Sequence, residues 1–203
     1  MEEANGAVIR VGDGRGFVVA GKCSRFIITA AHCLPFVPPC ASFLPLDERT
    51  YVSLLGPLGK EPSISAECLF ADPIGDIAVL GPPDGEDRIE EAEGYEKMVG
   101  AVVPFSVSEG PARDWALLLS LNGRWFECNI NSIHGGSFWI SDAEEPIRGG
   151  MSGSPILAMD GSAIGVVCAG TQSEDGVDLN TGGPNTRLFR NLPGWLLREW
   201  KRE

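Results

Sequence analysis

Short apolar or alternating runs, cut every few residues by Gly, Pro, Asn or Asp, constrain the fold of this 203-residue chain more than any other feature. The candidate strands are 7–11, 16–20, 25–29, 51–55, 65–70, 77–80, 99–107, 115–121, 125–131, 137–141, 154–159 and 163–169. With 26 Gly and 15 Pro punctuating the chain, such runs suit an antiparallel sandwich or barrel better than βαβ units, which need helical crossovers. One helix is expected, over 192–201. Asn191 can cap it, Pro193 sits just inside its start, and Trp195, Leu196 and Trp200 recur near helical spacing. The segment 84–97 holds seven acids against two bases and reads as an exposed connection dividing the strands into two groups of about six.

Composition narrows the partners. An apolar content of 43% with 22% charge is ordinary for a globular chain able to bury a core. Sixteen basic against 28 acidic residues give a net charge of −12, which repels phosphate backbones and anionic lipid, so neither nucleic acid nor membrane is expected as a partner. The opening MEEANGAVIRVG has two acids where a secretory signal needs basic residues, and no apolar run approaches the ~18 residues of a membrane span. A cytoplasmic location is expected, unless an export signal lies upstream. Cysteines 23, 33, 40, 68, 128 and 168 form no C-x-x-C pair and no Cys/His cluster with zinc spacing, so they read as free, mostly buried thiols with no metal to hold.

Three segments carry potential chemistry. RGGMSGSP, 148–155, sets Ser152 between glycines; alone it is an ordinary Gly/Ser loop. FIITAAHC, 26–33, is a buried-looking strand that ends in two small residues and His32, which could equally satisfy a loop hydrogen bond. DPIGDIAVL, 72–80, puts Asp76 at the mouth of an apolar run, where a carboxylate needs a partner, whereas Asp72 before Pro73 fits a solvated turn. Together they supply what acyl transfer requires: a hydroxyl nucleophile, an imidazole to take its proton, and a carboxylate to fix the imidazole tautomer. The order His, Asp, Ser excludes the α/β-hydrolase order, whose G-x-S-x-G is also broken by Ser154, and the subtilisin order, in which the acid comes first.

With these residues in this order, the chain resembles the trypsin-like serine peptidases, in particular the lean bacterial branch with glutamyl endopeptidases and HtrA-type domains. The resemblance rests on T-A-A-H-C at 29–33, D-I-A-V-L at 76–80, G-M-S-G-S-P at 150–155, and G-V-V-C-A-G at 165–170, which looks like the strand alongside bound substrate. It implies an all-β chymotrypsin-like fold of two antiparallel six-stranded barrels with a C-terminal helix. A first unit, 1–97, would carry His32 and Asp76, and a second, 98–203, would carry Ser152. It implies a serine endopeptidase acting on protein or peptide substrates without cofactor, with the amides of Gly150 and Ser152 as oxyanion hole. The alternative is an inactive module of the same fold that binds peptides or partner proteins. Bacterial relatives often occur as one domain of a longer protein, so membership of a larger protein or complex is a further expectation.

Departures from the family pattern refine this. Met151 stands where zymogen-activated relatives carry an aspartate that pairs with a new N-terminus, so that route is excluded. Counting back from His32, Phe17 falls where the partner of the cysteine after the histidine would be, leaving Cys33 unpaired there, with Cys23 and Cys40 nearby in sequence. Cys168 replaces a serine that contacts the triad aspartate in many relatives, and a thiol is the weaker donor. The floor of the S1 pocket would be Pro146 and Ile147, both uncharged, with Gly170 keeping its entrance open and Cys168, Ala169 and Gly170 contacting substrate. Val167 occupies the place of the histidine found in glutamate-specific relatives. A small or apolar P1 residue is expected, a basic one only if Glu145 turns inward. His134 reads as a loop residue, and Gly12, Gly14 and Gly16 precede a strand rather than a helix and so make no phosphate cradle. The tryptophans at 115, 125, 139, 195 and 200 read as core, and Asp142, Glu144 and Glu145 as loop solvation.

Overall fold

The fold was obtained as a computed structural model that describes residues 5–39, 48–133, 136–168 and 180–200. Twelve strands among these residues close into two antiparallel barrels. The first holds β1 (Val8–Val11), β2 (Gly14–Ala20), β3 (Arg25–Thr29), β4 (Thr50–Pro57), β5 (Ile64–Asp72) and β6 (Ile77–Gly81), in the order β1-β2-β3-β6-β5-β4. The second holds β7 (Arg113–Leu119), β8 (Trp125–Ser132), β9 (Phe138–Ser141), β10 (Pro155–Ala158), β11 (Ala163–Val166) and β12 (Gly182–Arg187), in the order β10-β11-β12-β9-β8-β7.

The continuous apolar runs of β2, β3 and β6 arise because both faces of these strands are buried. Val18, Ile27, Ala78 and Leu80 point into the first barrel. Their neighbours Phe17, Val19, Ile28, Ile77 and Val79 point the other way, into an apolar layer shared with Leu119, Leu157, Ala163 and Val166 of the second barrel. Strand β8 alternates instead: Phe126, Cys128 and Ile130 face the second barrel's interior while Glu127 faces solvent. The ends of β3, β6 and β10 thus converge on the junction, and each lies beside one candidate site residue.

Several sequence expectations are corrected. The segment 84–97 does run largely exposed between the two groups of six strands, but it is not irregular: a 3₁₀ turn, Glu86–Arg88, leads into helix α1 (Ile89–Gly100), with Tyr95 and Val99 fully buried. Its sequence hides this behind a mostly acidic outer face, with Glu90 and Glu91 in the first turn, where the helix dipole favours them. The run 99–107 is not a strand. After α1 it crosses between the barrels, Phe105 bridging to Val19 and Val107 to Ala163, with the Phe105 ring edge-on to Phe17 and Trp125. The twelfth strand is β12, whose Gly182, Gly183 and Pro184 dilute the strand signal. Two short helices, α2 (Leu188–Asn191) and α3 (Gly194–Trp200), close the described chain. Of the tryptophans, 115, 139 and 195 are exposed: Ala116 and Leu118 take the inward register of β7 and leave Trp115 on the outer face, as Phe138 and Ile140 of β9 leave Trp139. No helix among the described residues is long and apolar enough to cross a membrane.

Candidate active site

Strand β3 ends at Thr29, and the small residues Ala30 and Ala31 let the chain turn at once into one 3₁₀ turn, Ala31–Cys33, closed by Cys33 N–H to Ala30 O (3.0 Å). Its neighbours are buried, whereas the His32 side chain is 48% exposed. Asp76 meets it from the turn before β6. Asp76 Oδ2 lies 2.7 Å from His32 Nδ1, and Oδ1 accepts the His32 backbone N–H at 3.0 Å. Facing a carboxylate, Nδ1 is the nitrogen that donates, and in the neutral ring this leaves Nε2 with the lone pair. The imidazole tautomer and the His32 backbone are held by one side chain.

Asp76 sits in the left-handed region at φ 51°, where aspartate is among the better tolerated residues. The second barrel holds it there. The Thr186 hydroxyl donates to Gly75 O, and the Cys168 thiol lies 3.3 Å from Asp76 O and 3.3 Å from Thr186 Oγ1. The sulfur therefore reaches the aspartate's main chain, and an unforeseen threonine shares the task. Burial, with the Asp76 charge adding to it, pushes the Cys168 thiol up to about 12, so it stays a neutral donor. Asp72 is the turn residue its sequence suggests, accepting the Ile74 N–H at 2.9 Å.

Ser152 lies in a tight turn before β10. Gly153 N–H donates to Val167 O (2.7 Å) and Ser154 N–H to Met151 O (3.0 Å), while Ser152 O accepts Arg15 N–H (2.8 Å). Gly150 has φ 86° and Gly153 φ 80°, conformations that glycine alone adopts without strain. A Cβ on Gly153 would overlap the Arg15 carbonyl oxygen and lie 2.7 Å from Thr29 Oγ1, so the turn packs directly on the first barrel. The backbone N–H groups of Gly150 and Ser152 donate to no described backbone acceptor. Met151 is buried, and its sulfur accepts the Arg148 N–H at 3.3 Å. Among the described residues the Ser152 hydroxyl makes no hydrogen bond.

Gly14 brings the serine and histidine turns side by side. A Cβ there would overlap Cys33 Sγ and lie 2.9 Å from Ser152 O. The glycines at 12, 14 and 16 are thus spacing devices: a Cβ on Gly12 would meet the Cys33 carbonyl, and one on Gly16 would lie 2.9 Å from Ile28 O. Cysteines 23, 33, 68, 128 and 168 are all free, Cys33 with burial pushing its thiol up to about 11. Cys40 and His134 lie outside the described residues, as do Ala169 and Gly170.

Of the remaining predicted substrate contacts, Ile147 is only 2% exposed and belongs to the second barrel's core. Pro146 lines a cavity of about 400 Å³ with Ser120, Leu121, Glu145, Arg148 and Met151. Glu145 does not turn inward as a free carboxylate: it accepts Arg124 Nε at 2.9 Å, and its pairing raises the Arg124 pKa. A second cavity, about 430 Å³, opens where Gly14 and Arg15 face Leu121 and Gly150. No group of three or more metal-ligating side chains occurs among the described residues.

Sequence reasoning missed Arg15 and Thr186. The only trace of Arg15 was the alternation of glycines around it, and Thr186 lies in the unrecognised β12. No family model and no curated protein matches the chain. Among solved structures, the Rv3671c protease in its inactive form is 17% identical, with a TM-score of 0.56 over 93% of this chain and 87% of that one. The active form, from M. tuberculosis, is 15% identical, with a TM-score of 0.55 over 97% of this chain and 80% of that one. At these identities the likeness concerns the fold, and the chain has the chymotrypsin-like double barrel that these proteases share.

Proposed function

We propose that the chain is a serine endopeptidase that hydrolyses bonds in proteins or peptides without metal or organic cofactor. In this reading Ser152 Oγ attacks the scissile carbonyl and His32 Nε2 takes its proton. Asp76 holds the Nδ1–H tautomer and stabilises the imidazolium, which then protonates the leaving amine. Water repeats the sequence on the acyl-enzyme. The amides of Gly150 and Ser152 receive the oxyanion; each such donor contributes about 2.7–4 kcal/mol to lowering the barrier. The observation that carries the reading is the paired contact of Asp76 with His32 Nδ1 and N–H beside a turn whose 150 and 152 amides have no described backbone acceptor.

The P1 preference is for small or apolar side chains. Pro146, which lines the cavity, brings no charge, and the Glu145 carboxylate in the same lining is engaged by Arg124. One observation favours the second reading, an inactive peptide-binding module: the Ser152 hydroxyl is bonded to no described residue. Hydrogen bonds of this kind are often long before substrate arrives, which keeps catalysis the better reading. A fluorophosphonate probe separates the two. Labelling lost in Ser152→Ala, with cleavage of a denatured proteome after small or apolar residues, is the expected outcome; absence of labelling at every pH tested overturns catalysis, and cleavage after Lys or Arg overturns the P1 assignment.

A further inference from the structure

Arg15 is only 6% exposed, and no carboxylate among the described residues pairs with it. Its guanidinium crosses the barrel junction to neutral acceptors: Nη1 donates to Leu119 O at 2.9 Å and Ser120 O at 3.1 Å, Nη2 to Ser120 O at 3.1 Å, and Ser154 Oγ lies 3.5 Å from Nη1. Burial lowers its pKa, as removal from water must for a cation without a counter-ion. A buried charge in such surroundings is costly, and an aliphatic side chain of similar length would fill the space more cheaply. What the planar fork adds is geometry.

Successive carbonyls of an extended strand point to opposite sides, so two consecutive ones can meet a single guanidinium only where the strand breaks. Strand β7 ends at Leu119, and Ser120 opens a turn closed by Ser120 N–H to Arg124 O (2.9 Å) and Gly123 N–H to Ser120 O (3.2 Å). This turn carries Leu121 over the nucleophile loop, its Cδ2 3.4 Å from where a Gly150 Cβ would stand. Arg15 also grips the loop with its main chain: its N–H donates to Ser152 O at 2.8 Å, and its carbonyl, which accepts Thr29 Oγ1 at 2.6 Å, abuts Gly153.

We propose that Arg15 is the positioning residue of the catalytic turn: from the first barrel it fixes the Ser152 peptide through its backbone and the orientation of Gly150 through Leu119, Ser120 and Leu121. This rests on the endopeptidase reading, in which Gly150 and Ser152 supply the oxyanion donors. The Arg15 guanidinium is spent on Leu119 O, Ser120 O and Ser154 Oγ, not on His32 or the Ser152 hydroxyl, so it acts through the turn. A side chain serving stability alone would change the folded fraction and leave turnover per folded molecule intact.

The test compares wild type with Arg15→Met and Arg15→Lys. Turnover of a peptide amide is normalised to active sites counted with a fluorophosphonate, and backbone amide exchange is followed over 148–154. The expected result for Arg15→Met is a fall in kcat of about 10²-fold with KM within about threefold, and faster exchange at Met151, whose N–H closes the turn around Gly150 on Arg148 O. Arg15→Lys, which keeps charge but not the fork, should fall between the two. Unchanged kcat per active site with unchanged exchange overturns the proposal. If wild type is neither labelled nor active, the endopeptidase reading has failed and the exchange comparison alone decides whether Arg15 orders the turn. If Arg15→Met does not fold, Arg15→Lys carries the same readouts with the same deciding outcomes.

Discussion

Thr186 does for Asp76 what Asp76 does for His32: it fixes a neighbour whose conformation would otherwise relax. Its hydroxyl, in a residue only 4% exposed, donates to Gly75 O, one residue before an aspartate at φ 51°, and accepts from the Cys168 thiol at 3.3 Å. Valine has the same shape without the oxygen. Thr186→Val leaves the Gly75 carbonyl without this donor, at a cost of about 1–3 kcal/mol, and frees the turn to move the carboxylate off Nδ1. The expected outcome is lower thermal stability together with a fall in kcat per folded molecule, with Thr186→Ser restoring most of both. Restoration of stability without activity would show that the hydroxyl serves only packing. No local pattern could have revealed this contact, since Thr186 and Gly75 lie 111 positions apart in different barrels. The histidine and aspartate were legible because each sits at the end of an apolar run.

At the scale of elements, α1 is attached to the first barrel by few but specific contacts. Tyr95 is fully buried, its hydroxyl 3.1 Å from Leu80 O and 3.2 Å from Arg25 O, and Arg25 reaches across to Val102 O at 2.7 Å and to Val99 O. Removing only the hydroxyl, in Tyr95→Phe, is expected to cost about 1 kcal/mol, or roughly 2–4 °C in Tm, with helicity retained. Tyr95→Ala removes the ring as well and should cost about 3–5 kcal/mol and fray the helix. Thermal melts followed at 222 nm check both, and a Tyr95→Ala loss below 1 kcal/mol would mean that α1 is not coupled to barrel stability. This helix also marks the limit of legibility. Strands buried on both faces announce themselves as unbroken apolar runs, as β3 and β6 do, whereas α1 commits only Tyr95 and Val99 fully to the core and presents acids elsewhere. Strand β12 fails for the opposite reason: its two glycines and proline are a turn by composition, and the strand is recognised only by Gly182 and Asn185 pairing with β9 and Thr186 and Arg187 pairing with β11.

Across the whole molecule, three buried thiols and one half-buried thiol are distributed through the apolar layers: Cys68 in the first barrel, Cys128 in the second, Cys33 in the layer between them, and the half-buried Cys168 packed against that layer. Burial is the largest cause in each case, raising Cys33 and Cys68 from 9.0 to about 11 and Cys128 and Cys168 to about 12. The buried Tyr51 and Tyr95 hydroxyls are shifted in the same direction. In the unfolded chain thiols ionise at about pH 8.5–9, so above that range it binds fewer protons than the folded chain, and stability falls as pH rises. Below pH 9 the contribution is complete and flat; it is lost between pH 9 and about 12 as the folded-state values of these thiols are reached. Tm should therefore hold level from about pH 7 to 8.5 and drop steeply above 9, and Cys128→Ala, though less stable at neutral pH, should show a shallower alkaline limb. Net charge offers a rival cause, since a chain at −12 becomes more negative on the same titration. Salt separates the two: repulsion among surface charges is screened within about 5 Å at 0.5 M, whereas the desolvation of a buried thiolate is not. An alkaline limb that persists in 0.5 M NaCl and flattens in Cys128→Ala assigns the loss to the thiols, and one abolished by salt assigns it to net charge.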